Sequence, residues 1–269
     1  MNSLLTFFDT ETAVQSRRNA LGTVGKLGLG AALASVPFLK PGVARAQSGS
    51  GDVAILNYAL TLEYLERSFY RQALDSGTIP GDVRPLFQTI YDDEAAHVDF
   101  LRGALEGAGA NPVDYTDSDF AFGDFVTSFA GIAALAQGLE DTGVRAYKGQ
   151  AAAISTPAYL QAALQIHSVE ARHAAAIRRL SQSPAAQGWI PNSQPDAPAP
   201  IAPVYGAGSP ASQFPAEGNT TQGGVQLTTA LSGYSATEIS AAFDEPLDMD
   251  TVLGIAGQFI TGSEGDGND

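Results

Sequence analysis

The sequence predicts an all-α protein: an up-down four-helix bundle followed by a Pro-rich, partly structured C-terminal extension. Four stretches between residues 52 and 183 repeat their apolar side chains with the 3.6-residue period of a helix. The motif Glu-x-x-His occurs twice in these stretches, at Glu94 to His97 and at Glu170 to His173, offset by 76 residues. Two helical hairpins in succession would give such an offset, so the motifs predict a bundle with internal pseudo-twofold symmetry.

The first predicted helix begins at Asp52, which would cap it, and runs to about Ser76, where Gly77 ends it. Its apolar face carries Glu63 near the middle and Tyr70 two turns later. A lone buried carboxylate is costly unless it is paired or bound to a metal ion. Glu63 is therefore a candidate metal ligand.

The second predicted helix has Pro85 in its first turn and ends near Gly107. Glu94 and His97 are three residues apart, so they lie one above the other on one helix face and can bind one metal ion together. The residues that follow, up to about Asp117, are long enough when extended to run the length of a bundle.

The third predicted helix runs from about Ser118 to Ala153 and carries Glu140 and Tyr147 on its apolar face. The fourth follows the cap and first-turn proline of Ser155-Thr156-Pro157, carries the second Glu-x-x-His motif, and stops by Pro184. In both halves a Glu is followed by a Tyr seven residues later, and these Glu residues are offset by 77 residues. The repeat supports the prediction of two matched hairpins.

The candidate ligands combine four carboxylates and two imidazoles, a donor set that suits two divalent ions of the iron or manganese type. Two such ions would neutralise the four negative charges, which would otherwise repel one another in an apolar core. The chain has no cysteine, so thiolate ligands are excluded. The predicted metal ligands are Glu63, Glu94, His97, Glu140, Glu170 and His173.

Several polar side chains near the motifs have more than one interpretation. Glu66, one turn after Glu63, is a ligand in its place, a solvated charge or an ion-pair partner for Arg67. His167, one turn before the second motif, is either a ligand or a residue at the surface or just outside the ligand set. Three acids that flank the first motif are predicted to be solvated: Asp92, Asp93 and Asp99.

A Glu followed by Glu-x-x-His in each of two helical hairpins is the ligand pattern of di-iron and di-manganese carboxylate bundles. On these motifs, residues 52–183 resemble the ferritin-like superfamily. The run Ile55-Leu56-Asn57-Tyr58-Ala59-Leu60-Thr61-Leu62-Glu63-Tyr64-Leu65-Glu66, with the N-terminal segment and the long tail, is similar to its group that includes desiccation-related proteins. The resemblance implies two iron or manganese ions, and no catalytic residue beyond the metal site.

The resemblance also implies a role for each residue of the site. The two motif glutamates, Glu94 and Glu170, would bridge the ions. The other two glutamates would be terminal ligands, and one histidine would complete each metal position. Tyr70 and Tyr147 would lie close by, as hydrogen-bond partners of the ligands or as redox relays.

Three functions are consistent with this site. The first is oxidoreductase chemistry on O₂ or peroxide, ferroxidase or catalase-like, in stress protection. The second is a non-enzymatic desiccation or stress protein with a structural or sequestered metal. The third is iron storage, which requires a closed multi-subunit shell that the long tail makes less natural; the sequence leaves a homo-oligomer open. The formal net charge of −15 argues against nucleic acid as a partner.

Residues 1–46 differ in kind from the rest of the chain. Ser16-Arg17-Arg18-Asn19 precedes an apolar run from Leu21 to Phe38, and Ala44-Arg45-Ala46 fits a cleavage site. The segment resembles a twin-arginine export signal, which implies a periplasmic or extracellular protein with no stable membrane span after signal removal. The alternative is an uncleaved segment that stays as a membrane anchor.

The predicted organisation is a signal at 1–46, the bundle at 47–183 and the extension at 184–269. Within the extension, the eight prolines between Pro184 and Pro215 predict an extended or wrapping segment. An extended stretch and two short helices are predicted further on, over Val225–Leu231, Ala236–Phe243 and Thr251–Ile260. The Gly/Asp-rich end from Gly262 is predicted to be disordered.

Overall fold

The computed structural model describes residues 51–181, 187–190 and 197–261. Four long helices form its main body: α1 (Asp52–Asp75), α2 (Arg84–Gly107), α3 (Phe129–Gln150) and α4 (Pro157–Ser181). α1 packs along α2 and α3 along α4, and contacts between α1 and α3 join the two hairpins. The predicted all-α four-helix bundle is confirmed. The predicted signal at 1–46 and the predicted disordered end at 262–269 lie outside the described residues.

Asp52 has a different role from the predicted cap. α1 does begin at Asp52, but its N-cap residue is Gly51, which has no side chain to cap the helix. The Asp52 carboxylate instead accepts hydrogen bonds from the backbone N–H groups of Ser155 (2.7 Å) and Thr156 (2.8 Å). These residues directly precede α4, so Asp52 connects the start of the first helix to the start of the fourth.

The predicted start of the third helix at about Ser118 is wrong, because α3 begins at Phe129. Two short 3₁₀ helices precede it, at Asp117–Asp119 and Gly123–Thr127. Gly123 has a φ of 52°, in the left-handed region that interrupts a right-handed helix and favours glycine.

The stretch before α3 bonds to the extension instead of forming helical turns. The backbone N–H of Ala121 donates to the carbonyl of Phe259 (2.8 Å), and that of Thr261 donates to the carbonyl of Asp119 (2.8 Å). The Ser128 hydroxyl then accepts a bond from the Gly131 N–H (3.2 Å) and caps α3.

The described part of the extension contains short elements. A 3₁₀ helix spans Ala202–Tyr205, and β1 (Thr221–Gln222) pairs antiparallel with β2 (Val225–Gln226). Three helices follow: α5 (Leu227–Ala230), α6 (Ala236–Ser240) and α7 (Met249–Ala256). The prediction of an extended Val225–Leu231 therefore holds only for its first two residues.

The extension shares the hydrophobic core of the bundle. Val204, Leu247 and Val252 are fully buried and belong to the same apolar cluster as the inner faces of α1 to α4. Glycines of α3 allow this close packing, because a Cβ at Gly138 would overlap Ile201 and one at Gly149 would overlap the carbonyl of Leu247. The chain beyond the bundle thus packs directly on α3.

A buried arginine fixes this contact. Arg145 of α3 is fully buried, and its guanidinium donates to five backbone carbonyls of the extension, including those of Gly206 (2.9 Å) and Pro215 (2.7 Å). Its Nε also lies 3.0 Å from the carboxylate of Glu217, which is equally buried. A buried charge is stable only with such a complete set of partners. The extension therefore provides the hydrogen-bond acceptors and the carboxylate that the Arg145 guanidinium requires.

No helix within residues 51–181, 187–190 and 197–261 is both long and apolar enough to cross a membrane.

Candidate metal centre

The six predicted ligands converge in the middle of the bundle, one or two from each long helix. α1 contributes one glutamate and α3 another, while α2 and α4 each contribute a Glu-x-x-His pair one turn apart. The four glutamates have no exposed surface, and His173 is 6% exposed. The converging residues are Glu63, Glu94, His97, Glu140, Glu170 and His173.

Their oxygen and nitrogen atoms form two overlapping groups, each with all four donor atoms within 4.8 Å of one another. One group consists of Glu63, Glu94, His97 and Glu170, and the other of Glu94, Glu140, Glu170 and His173. Glu94 and Glu170 belong to both groups. Two shared carboxylates between two sets of donors are the arrangement that a pair of bridged ions requires.

The distances around each imidazole are short. His97 Nδ1 lies 3.0 Å from Glu94 Oε2, 3.1 Å from Glu63 Oε2 and 3.4 Å from Glu170 Oε1. His173 Nδ1 lies 2.9 Å from Glu94 Oε1 and 3.3 Å from Glu140 Oε2. In both cases Nδ1 is the nitrogen that faces the cluster.

Several of these buried atoms have no hydrogen-bond partner among the described residues. They are Glu94 Oε1, Glu140 Oε2, both oxygens of Glu170, and His173 Nδ1. Some of them lie about 3 Å apart without meeting the geometry of a hydrogen bond. Buried polar atoms are almost always satisfied, so this donor set fits divalent cations.

Without a metal ion, the pKa values of the clustered side chains are raised, so these side chains hold protons in the position where cations would bind. Burial favours the neutral form of His97, but the Glu63 and Glu94 carboxylates outweigh it and raise the pKa to about 10. Burial likewise disfavours charge on His173, yet Glu140 and Glu94 raise its pKa to about 11. Burial raises the pKa of Glu94 to about 7, against the effect of the two imidazoles beside it. Metal binding must therefore displace protons.

Two tyrosines connect the hairpins across the centre. Tyr70 of α1 donates a hydrogen bond to Glu140 Oε1 of α3, and Tyr147 of α3 donates one to Glu63 Oε1 of α1. Burial, followed by the adjacent carboxylate, raises the pKa of both phenols well above the ordinary value, so both remain protonated donors. Each thereby holds one carboxylate oxygen and leaves the other directed at the cluster.

Asp93 adds a contact that the sequence did not indicate. Its carboxylate, 45% exposed, lies 3.0 Å from His173 Nε2, on the far side of the ring from the cluster. A proton on Nε2 bonded to Asp93 leaves Nδ1 free to bind a metal, the usual way in which a carboxylate orients a ligating histidine. Asp93 was predicted to be solvated because helical spacing places it outside the ligand face of its own helix; its partner lies on α4.

Glu66 is buried, so its interpretation as a solvated charge is wrong. It is 3% exposed, and one of its oxygens has no partner in the described part of the chain. Burial raises its pKa well above the ordinary value, as do the charges of Glu94, Glu140 and Glu63. The carboxyl group thus faces the centre, just outside the two four-residue groups.

Gly143 leaves space for this carboxyl group. It occupies the position on α3 that Glu66 occupies on α1, three residues after a terminal glutamate. A Cβ at Gly143 would lie 2.9 Å from Glu170 Oε2 and 3.2 Å from Glu66 Oε1. The two halves of the centre are therefore not equivalent.

His167 does not join the cluster. Its Nδ1 lies 3.0 Å from the carbonyl oxygen of Val144 on α3, and burial lowers its pKa. It connects α4 to the backbone of α3, as the non-ligand interpretation predicts.

Comparisons with known proteins agree with the geometry. The family model of the ferritin-like domain matches residues 51–183, which include all four long helices and all six converging residues. A search of the curated proteins gives no significant match. The bundle of this chain, residues 51–183, is a ferritin-like domain with a buried carboxylate and histidine cluster compatible with metal binding.

Proposed function

We propose that the cluster binds two iron or manganese ions and carries out redox chemistry on O₂ or peroxide. The observation that supports this most directly is the sharing of Glu94 and Glu170 between two groups of donor atoms. Bound ions of this kind would supply electrons and polarise an O–O bond. Four carboxylates would balance two divalent charges in an interior where a single unpaired charge is costly.

The protein would contribute orientation and proton control. Tyr70 and Tyr147 fix Glu140 and Glu63 by hydrogen bonds across the bundle. Asp93 would hold a proton on His173 Nε2 and so keep Nδ1 available. Burial of the four glutamates excludes bulk water from the centre. Glu66 lies close enough to the charges to take up or release a proton at a carboxyl oxygen.

Metal analysis tests the binding part of this proposal. We expect close to two ions per chain after loading with Fe(II) or Mn(II) and removal of loose metal. The variants Glu94→Gln and Glu170→Gln should each lose most of this metal, because each removes a ligand from both positions. Glu106→Gln is the matched control, since its side chain is 61% exposed on the same helix as Glu94. Less than one ion per chain in the unchanged protein would contradict the proposal.

Activity assays test the redox part separately. The loaded protein should oxidise Fe(II) under O₂ or consume H₂O₂ faster than the Glu94→Gln variant does. Tight binding without either activity would favour the alternative of a structural or sequestered metal in a stress protein.

We also propose that residues 1–46 direct export by a twin-arginine-type route. The support is the Arg17-Arg18 pair, the apolar run and the Ala44-Arg45-Ala46 pattern. Cell fractionation with N-terminal sequencing of the mature protein tests this. We expect the double variant Arg17→Lys, Arg18→Lys to abolish export. Unaltered export of this variant would argue against the twin-arginine route.

A further inference from the structure

A small cavity lies inside the bundle one turn from the candidate metal centre. It is enclosed by residues of α1, α2, α3 and α4 and of the short loop before α4. Leu62, which lines it, directly precedes Glu63, and Leu101 lies one helical turn after His97. Tyr147 also lines it and donates its phenolic hydrogen bond to Glu63. The inner wall of the cavity thus contacts one candidate ligand, through the hydrogen bond between Tyr147 and Glu63.

The cavity extends from the surface to this inner wall. Its outer lining includes Phe100, which is 46% exposed, and the half-buried Tyr159 and Ala162. Leu62 and Leu101, at the inner end, are 3% and 2% exposed. This gradient describes a passage that runs from exposed residues of α2 and α4 to a buried inner end, where Tyr147 separates it from Glu63.

The lining determines what can pass. Most residues of the lining are aliphatic or aromatic, the polar groups are the amide of Gln150 and the hydroxyls of three tyrosines, and no lining residue carries a charge. The cavity has about 20 Å³ of room for the centre of a water-sized molecule, which accommodates roughly one such molecule. A polar molecule in such a space gives up most of its hydrogen bonds to water, whereas an apolar diatomic molecule loses none.

We infer that this passage admits dioxygen to the candidate metal centre. The inference rests on the proposed function, and it selects O₂ over peroxide as the oxidant that enters from this end of the bundle. Three observations support it: the mostly apolar lining, a volume that holds about one small molecule, and the contact of the inner wall with Glu63 through Tyr147.

Gln150 is the only amide of the lining, which also contains three tyrosines. It is 2% exposed, and neither its amide nitrogen nor its amide oxygen has a partner among the described residues. If H₂O₂ used the passage, this amide and the unpartnered hydroxyl of Tyr58 would be its hydrogen-bonding sites, so loss of the amide should slow H₂O₂ and not O₂.

Xenon, an apolar gas that binds in apolar cavities, tests the passage without any metal. Metal-free protein under xenon pressure should bind one atom next to Leu62 and Leu101, in a crystal or by ¹²⁹Xe NMR. Ala162→Leu should abolish this binding by filling the outer part of the passage. Ala158→Leu is the matched control, because Ala158 is an exposed residue on the same helix. Absence of xenon in the unchanged protein would overturn the inference.

Oxidation rates test the route itself. With equal metal content, Ala162→Leu should slow Fe(II) oxidation by O₂ several-fold and leave oxidation by H₂O₂ unchanged, while Ala158→Leu alters neither. Gln150→Leu should retain the O₂ rate. An unchanged O₂ rate in Ala162→Leu would contradict entry of O₂ by this passage, and a slower H₂O₂ rate in Gln150→Leu would contradict the selection of O₂ over peroxide. If Ala162→Leu fails to fold, Ala162→Val serves with a smaller expected effect.

The two sets of results separate the two proposals. If the protein loads no metal but binds xenon where expected, the proposed function fails and the apolar passage stands. If the metal loads and no xenon binds, the passage fails and the proposed function stands.

Discussion

The contact between Asp93 and His173 distinguishes one half of the metal cluster from the other. The residue before Glu94 is Asp93, whereas the residue before Glu170 is Val169, which cannot orient an imidazole. The first metal position to fill should therefore be the one that includes His173, because its histidine is already held with Nδ1 directed inward.

Asp93→Asn tests this asymmetry. The amide can still accept a bond from His173 Nε2 but carries no charge to support the imidazole, so we expect one of the two ions to bind about 10- to 100-fold more weakly. Asp99→Asn, at an exposed position on the same helix, is the control. Isothermal titration with Mn(II) measures both sites. Equal weakening of both ions would contradict the assignment.

Gly143 provides a second prediction at the level of a single residue. Gly143→Ala places a methyl group 2.9 Å from Glu170 Oε2 and 3.2 Å from Glu66 Oε1, so at least one carboxyl group must move. We expect a lower metal affinity with little loss of helix content. Gly103→Ala meets open space on α2 and should stabilise the protein by roughly 0.5–1 kcal/mol through helix propensity. Metal titration of both variants measures the affinity, and thermal unfolding measures the stability.

At the level of elements, α3 is the helix that connects the bundle to the extension. Arg145→Met removes the donor to five carbonyls of the extension and leaves Glu217 as an unpaired buried carboxyl group. We expect a loss of about 3–5 kcal/mol in the free energy of unfolding, and faster proteolysis of the extension. Chemical denaturation with limited proteolysis measures both.

Two further variants make this result interpretable. Arg71→Met removes an exposed arginine whose partner Asp75 is also exposed, so it should change stability by less than about 1 kcal/mol. Arg145→Met combined with Glu217→Met should recover part of the loss, because no unpaired charge remains. A loss of similar size in Arg71→Met would show that the effect of Arg145→Met is not specific to the extension.

The sequence predicted the helices better than the segments between them. Apolar period, prolines and glycines are local signals, so α1, α2 and α4 begin and end close to the expected residues. The start of α3 was placed near Ser118 because nothing local reveals that Ala121 bonds to Phe259. That bond joins residues far apart in the chain, and helical periodicity cannot report it.

The same distinction applies to the candidate centre. Its six main residues were identifiable because their spacing on each helix repeats between the two hairpins. Asp93 was not, and the role of Glu66 stayed open, since both depend on what faces them: Gly143 and Glu170 for Glu66, His173 for Asp93. Whether a carboxylate is solvated or buried is decided by the neighbouring helix.

For the whole molecule, the pKa values predict opposite pH dependence with and without metal. The pKa of His97 is raised to about 10, that of His173 to about 11 and that of Glu94 to about 7, all above their unfolded values. A raised pKa means that the folded state binds the proton more tightly. This stabilisation is complete below the unfolded pKa and is lost as pH rises through the folded pKa.

Metal-free protein should therefore lose stability steadily from about pH 4.5, the unfolded pKa of Glu94, to about pH 11, the folded pKa of His173. Metal ions replace the same protons, so the stabilisation given by a fixed Mn(II) concentration should grow over the same range. Thermal unfolding at several pH values, with and without Mn(II), measures both trends. A metal-induced shift in Tm that does not depend on pH would mean that the ions bind elsewhere.

The position of Arg145 in the chain also orders events during synthesis. The carbonyl partners of Arg145 lie 59 to 101 positions after Arg145 in the chain. His173, the last of the candidate ligands, is therefore synthesised before any of them. The nascent bundle therefore contains all six candidate ligands before the carbonyls that bind the Arg145 guanidinium have been synthesised. The extension can therefore pack on α3 only after all four long helices, with their six candidate ligands, have been synthesised.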